Sequence, residues 1–127
     1  MNARVELFRR LALQLPEAVE SSHMDHPDFR LNGRIFATLF AQERGLGVLK
    51  LSPGQQQAFI AEQPQVFSPV QGGWGRMGMT FVDLDKADEL LIAGALSTAY
   101  NNVLKKQSAK KSSQTAKSAR PSRKRLQ

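Results

Sequence analysis

The side chains in this sequence that could do chemistry are a few basic residues and a single tryptophan. Arg34, Lys50 and Arg76 lie on or beside predicted strands, and Trp74 precedes Arg76 by two residues. Arg34 and Lys50 share one alternation phase if their strands pair as a hairpin. Cations beside an aromatic ring could hold a nucleic-acid backbone and stack a base. The alternative is that the cations are solvated and that Trp74 packs in the core or braces the glycines around it.

A second group of basic residues lies in the C-terminal segment, residues 107–127. This segment contains no acidic residue, whereas residues 1–106 carry 11 basic and 11 acidic side chains, so the segment supplies the whole net charge of +7. Its basic residues are Lys110, Lys111, Lys117, Arg120, Arg123, Lys124 and Arg125. Spaced cations on a flexible chain can follow phosphates without reading bases. The alternatives are a solubilising extension or an anchor for acidic lipid or protein.

One cluster has the residue types of metal ligands. His23, Asp25, His26 and Asp28 could offer nitrogen and oxygen atoms to a divalent ion. The alternative is a polar turn before a strand, in which the aspartates bond nearby backbone amides. We predict the turn, and therefore no resident metal and no cofactor.

Motifs of catalysis and of membrane insertion are missing from the sequence. There is no cysteine, neither histidine stands in a triad context, and the Gly72–Gly75 stretch lacks the Lys-Ser/Thr of a phosphate-binding loop. No apolar run approaches the ~20 residues of a membrane span, and the N-terminus lacks the apolar stretch of a signal peptide. We predict a non-enzymatic cytoplasmic protein without a membrane partner.

The elements that must position these residues can be read from spacing. Asn32-Gly33 predicts a two-residue hairpin, and Ser52 with Gln55 predicts a capping box at a helix start. Asp85 is expected to cap a final amphipathic helix that ends near Lys106. The order of elements predicts an α+β domain over residues 1–106, an antiparallel sheet with helices packed on one face. Residues 107–127 are too polar to bury a core, and a disordered basic tail is expected.

Several motifs of the domain resemble the MmcQ/YjbR-like family. The resemblance covers roughly residues 4–106 and is carried by Ser22–Arg30, Gly33–Leu39, Val48–Pro53, Val66–Val70, Gly72–Arg76 and Ala99–Val103. It implies a CyaY-like fold, that of bacterial frataxin homologues, with the same broad architecture as the double-wing domain of a phage transcription factor. By that analogy such proteins are described as DNA-binding.

These observations lead to three hypotheses. The first is a non-enzymatic protein that binds DNA weakly or non-specifically, with the tail contacting phosphates and the sheet and hairpin loops adding any specificity. The second is a small protein- or ligand-interaction domain whose folded part has no nucleic-acid role. The third is metal handling by analogy with frataxin, although the first helix carries Arg4, Arg9 and Arg10 and only Glu6 as an acid.

Overall fold

The computed structural model describes the backbone of residues 3–119 and the side chains of residues 3–106. It contains four α-helices, six strands and a 3₁₀ turn at Gln42–Arg44. The helices are α1 Ala3–Leu13, α2 Pro53–Glu62, α3 Gly73–Arg76 and α4 Glu89–Ala119. The strands are β1 Val19–His23, β2 His26–Leu31, β3 Arg34–Thr38, β4 Leu46–Lys50, β5 Phe67–Pro69 and β6 Met79–Asp83.

The six strands form one antiparallel sheet in the order β1-β2-β3-β4-β6-β5. The Asn32-Gly33 turn between β2 and β3 has φ angles of 51° and 83°, the positive values that a two-residue type I′ hairpin requires. Ser52 and Gln55 form both hydrogen bonds of the capping box at the start of α2. The predicted α+β class, the hairpin and the helix start are therefore confirmed.

One face of the sheet is covered by α1, α2 and α4. The fully buried side chains of this layer include Phe8, Phe29, Phe36, Leu49, Ile92 and Leu96. Phe8 of α1 lies over Gly47 of β4, where a Cβ atom would stand 2.6 Å from the ring. The Tyr100 ring meets Phe36 edge-on at 5.6 Å, and its hydroxyl donates to the Pro16 carbonyl. The helices thus pack on one face, as predicted.

The opposite face carries a smaller apolar cluster and is otherwise open. Val48 of β4 and Phe81 of β6 are directly paired and buried there, with Phe40 packed against them. The Arg44 guanidinium lies 5.1 Å from the centre of the Phe81 ring. The residues of β4 and β6 that alternate away from the helix-covered side, including Lys50, lie on this face.

An irregularity in β3 corrects one prediction about the cations. The pairing shifts between Phe29 and Arg30 of β2, so that β3 carries one extra residue. Arg34 pairs with Leu31 on the helix-covered side, whereas Lys50 alternates with Val48 on the open side. The bulge therefore sends Arg34 and Lys50 to opposite faces, and the predicted common phase is wrong.

Both ends of α4 differ from the prediction. The helix begins at Glu89, and the residue that caps it is Asp88, whose Oδ1 accepts from the Leu91 N–H at 2.8 Å. It runs to Ala119, past the predicted end near Lys106, because residues 107–119 contain neither the glycine nor the proline that would break a helix. The backbone of residues 107–119 continues α4; their side chains, and residues 120–127 altogether, lie outside the described residues, so the disorder predicted for the tail stays a prediction. None of the helices within residues 3–119 is long and apolar enough to span a membrane.

Candidate functional site

Strand direction brings three of the predicted cations to one end of the sheet. Arg34 is the first residue of β3, and Lys50 is the last residue of the antiparallel neighbour β4. Arg76 ends α3, three residues before Met79, which is the direct partner of Lys50 in β6. All three side chains are exposed. They share an end of the molecule, although Arg34 and Lys50 lie on opposite faces of the sheet.

The C-terminal part of α4 reaches the same end. The Asn102 amide donates to the Lys50 carbonyl oxygen at 3.4 Å and exchanges hydrogen bonds of 2.7 and 3.1 Å with the Gln55 amide. Lys105 and Lys106 follow within about one helical turn and are exposed. We call the five side chains Arg34, Lys50, Arg76, Lys105 and Lys106 the basic end.

Acidic side chains gather at the other end of the sheet. This acidic end consists of Glu43, Asp83, Asp85, Asp88 and Glu89, from the 3₁₀ turn and from the connection between β6 and α4. The Leu84 N–H donates to the Gly45 carbonyl at 3.0 Å and holds these two segments together. Four cations also lie here: Arg44, Lys86, Arg4, which donates to the Leu84 and Ala87 carbonyls, and Arg10, which lies 4.0 Å from Glu89. Charges of both signs therefore mix at the acidic end, five carboxylates against four cations, whereas the five cations of the basic end are in no ion pair with a described carboxylate.

Several other charges are neutralised within the fold. Arg9 bonds Glu20 at 2.9 Å and also bonds Glu6, while Arg30 bonds both oxygens of Asp28 at 2.8 and 3.0 Å. The hydrogen bond to Glu20 raises the pKa of Arg9, and that to Asp28 raises the pKa of Arg30. By contrast, no described carboxylate forms an ion pair with a cation of the basic end. Those five charges face solvent.

The glycine-rich segment forms a single helical turn, α3, which packs closely against the backbone that follows β5 and β4. A Cβ atom on Gly75 would lie 1.6 Å from the Val70 carbonyl oxygen, and one on Gly78 would lie 1.9 Å from that of Leu51. Gly78 also has a φ of +111°. This tight seat leaves Trp74 58% exposed and Met77 73% exposed. The alternative that Trp74 packs in the core is therefore wrong.

An open groove of about 650 Å³ runs beside α3. Its walls come from the start of α2, the end of β5 and α3, and its lining residues are Pro53, Gln56, Gln57, Pro69, Val70, Gln71, Gly72, Gly75 and Arg76. The amide of Gln56 is buried and donates to the carbonyls of Gly75 at 3.0 Å and Met79 at 2.9 Å. The lining contains one cation and no carboxylate.

The histidine and aspartate cluster lies on the β1–β2 hairpin, away from the basic end. His23 and His26 pair across a turn made by Met24 and Asp25, both with positive φ. Asp28 is 1% exposed, and Arg30 engages both of its oxygens. Within the described residues no three His, Asp or Glu side chains are grouped so as to hold a metal ion.

Only some of the tail residues proposed from the sequence lie among the residues that the structure describes. Lys110, Lys111 and Lys117 lie on the backbone of α4 beyond Lys106, with side chains outside the described set. Arg120, Arg123, Lys124 and Arg125 lie outside the described residues altogether. The proposed tail contacts therefore stay a prediction.

The YjbR family pattern matches residues 13–102 of the chain. This protein belongs to the YjbR family. The match includes Arg34, Lys50, Trp74 and Arg76 and stops before Lys105, so the YjbR domain holds the sheet part of the basic end. The fold is also similar to the crystal structure of the Deinococcus radiodurans protein DR2400, which has a DUF419 domain. That likeness has a TM-score of 0.68 at 22% identity and covers 81% of this chain and 80% of the other. No curated protein matches the chain.

Sequence reasoning missed Lys105 and Lys106 as members of the basic end. The two lysines suit the C-terminus of a helix, which favours positive charge, and the sequence predicts the helix end there. The Gln55–Asn102 contact that brings α4 to Lys50 joins residues 47 positions apart, which no local pattern reveals.

Proposed function

We propose that this YjbR-family protein binds DNA, without catalysing a reaction, through the basic end of its folded domain. The observation that carries the proposal is the convergence of exposed cations from β3, β4, α3 and α4 at one end of the sheet, beside the exposed Trp74. The neutral net charge of the domain is no obstacle to this function, because a phosphate backbone responds to the local charge that it meets.

The separation of charge also orients the domain. A polyanion meets five exposed cations at the basic end and carboxylates that are nearly balanced by cations at the acidic end, so the field favours the basic end as the surface that meets the phosphates. Each phosphate that the protein neutralises releases a condensed counterion, which makes binding salt-dependent and independent of sequence. Weak, largely non-specific affinity is the expected result.

The C-terminal extension prolongs this surface. The α4 backbone continues for 13 residues past Lys106, or about 20 Å at the rise of an α-helix, and leaves the domain from its basic end. Lys110, Lys111 and Lys117 belong to this stretch. The tail cations therefore follow directly after the basic end, where they can contact the next phosphates of a bound nucleic-acid strand.

A second candidate function is a protein- or ligand-interaction domain, which the exposed Trp74 and Met77 beside an open groove favour. Exposed aromatic and methionine side chains are enriched at protein interfaces. This candidate predicts that Trp74 matters and that the cations do not. The two functions therefore respond to different substitutions.

The test compares two full-length variants that lose the same charge from different places. The basic-end variant carries Arg34→Gln, Lys50→Gln and Arg76→Gln. The control carries Arg10→Gln, Arg44→Gln and Lys86→Gln, which remove three exposed cations elsewhere. Both lower the formal net charge from +7 to +4. The affinity for a fluorescent oligonucleotide is measured by anisotropy at fixed salt.

We expect the basic-end variant to bind about 10- to 100-fold more weakly, because three phosphate contacts are lost, and the control to bind within about threefold of the wild type. Equal losses in the two variants would mean that only net charge matters. An unchanged affinity in both would leave the folded domain without a role in binding.

A further inference from the structure

We propose that Trp74 stacks on an unpaired base, so that the preferred ligand is single-stranded nucleic acid and not intact duplex. The inference rests on the proposed nucleic-acid binding and adds the class of ligand. It starts from the way in which α3 presents the indole ring.

The ring stands on a rigid platform. Gly75 and Gly78 are pressed against the carbonyls of Val70 and Leu51, where any side chain would collide with backbone. From the other side, the Gln56 amide donates to the Gly75 carbonyl and fixes the end of the turn. The backbone that carries the ring is therefore fixed before binding, so little backbone entropy is lost when a base stacks on the ring. The exposed fraction of 58% leaves ring surface available to a ligand.

The surroundings suit a nucleotide chain. Arg76 lies two residues from Trp74 and borders the groove, and Lys50 ends the strand paired with the start of β6. These cations can hold the phosphates on either side of a stacked base. The groove itself is lined by the amide side chains Gln56, Gln57 and Gln71 and by no carboxylate. Amides both donate and accept, as the edges of bases do, and nothing in the lining repels a phosphate.

Duplex DNA fits this surface less well. The faces of its bases are covered by their neighbours, and exposing one requires unstacking and unpairing, both of which oppose binding. A single strand offers its base faces freely. Stacking on an aromatic side chain also tolerates any base, which agrees with a non-specific phosphate surface.

The experiment uses intrinsic fluorescence, because Trp74 is the single tryptophan of the chain. The full-length protein is titrated with a fluorescein-labelled single-stranded 20-mer and with its duplex; anisotropy reports binding, and Trp74 emission in matched unlabelled titrations reports stacking. We expect the single strand to bind more tightly and to quench the emission. The Trp74→Ala variant should lose about 5- to 100-fold in single-strand affinity and stay within twofold for duplex.

Met77→Ala is the matched control, since it removes another exposed apolar side chain from the same segment without removing a π face. It should leave single-strand affinity within about twofold. Binding without quenching, or equal losses for Trp74→Ala and Met77→Ala, would overturn the stacking proposal and leave phosphate binding intact. The absence of any binding in the anisotropy titration would overturn the proposed function itself.

Discussion

At the scale of single residues, Gly75 determines how Trp74 is presented. Its Cα hydrogen faces the Val70 carbonyl so closely that no other residue fits without moving the backbone. The glycine spacing is visible in the sequence, but the close approach of Gly75 to the Val70 carbonyl depends on packing that the spacing does not show. The exposure of Trp74 was not visible, because a lone tryptophan is more often packed in a core than presented to solvent.

Replacing Gly75 by alanine should therefore lower the free energy of unfolding by about 3 kcal/mol, as overpacking against backbone does. Gly94→Ala is the matched control, because Gly94 is exposed within α4 and an added Cβ would meet nothing within 4 Å. That change should raise the free energy of unfolding by about 0.5–1 kcal/mol through helix propensity. Urea denaturation followed by circular dichroism measures both. Equal effects of the two substitutions would contradict the tight seat of α3.

At the scale of elements, the local signals were read correctly and the longer-range ones were not. Short-range patterns of two to four residues predict the hairpin and the capping box, and the order of elements predicts the helix-covered sheet. The bulge in β3 cannot be predicted from such a pattern, because it depends on the contact of Phe36 with Tyr100, a residue 64 positions away. The end of α4 was misplaced for another reason: the paired Lys105 and Lys106 suggested a terminus, yet no helix breaker occurs before Pro121.

The capping box of α2 makes a prediction at this scale. Ser52→Ala removes the Oγ that accepts from the Gln55 N–H at 3.1 Å and should lower the free energy of unfolding by about 1 kcal/mol. Ser97→Ala, in the third turn of α4, is the control and should raise the free energy of unfolding by about 0.5 kcal/mol or less. The urea concentrations at the midpoint of denaturation are measured and compared for the two variants. A Ser52→Ala midpoint no lower than that of Ser97→Ala would mean that the cap contributes nothing.

At the scale of the whole molecule, composition alone gave a misleading picture of charge. Residues 1–106 balance 11 basic against 11 acidic side chains, which suggested that only the tail could meet nucleic acid. Arg34, Lys50 and Arg76 were already candidates, but their meeting at one end depends on antiparallel pairing and on the path of α3. The acidic end was invisible for the same reason. Strand topology gathers exposed cations of a neutral sequence at one end of the domain.

The most direct test measures nucleic-acid binding by the folded domain in a full-length chain whose tail carries no charged side chains. All basic residues of the tail are changed to glutamine, namely Lys110, Lys111, Lys117, Arg120, Arg123, Lys124 and Arg125, which brings the formal net charge from +7 to zero. Binding to a single-stranded oligonucleotide is then measured over a salt series, without and with the three basic-end substitutions.

At about −0.7 per phosphate neutralised on a single strand, the five cations of the basic end predict a slope of log K against log salt between about −2 and −3.5 for the neutral chain. Adding Arg34→Gln, Lys50→Gln and Arg76→Gln should change the slope to about −1, because two of the five cations remain, and should weaken binding. No measurable binding by the neutral chain, or a slope that the three substitutions leave unchanged, would contradict the claim that the basic end of the YjbR domain binds nucleic acid.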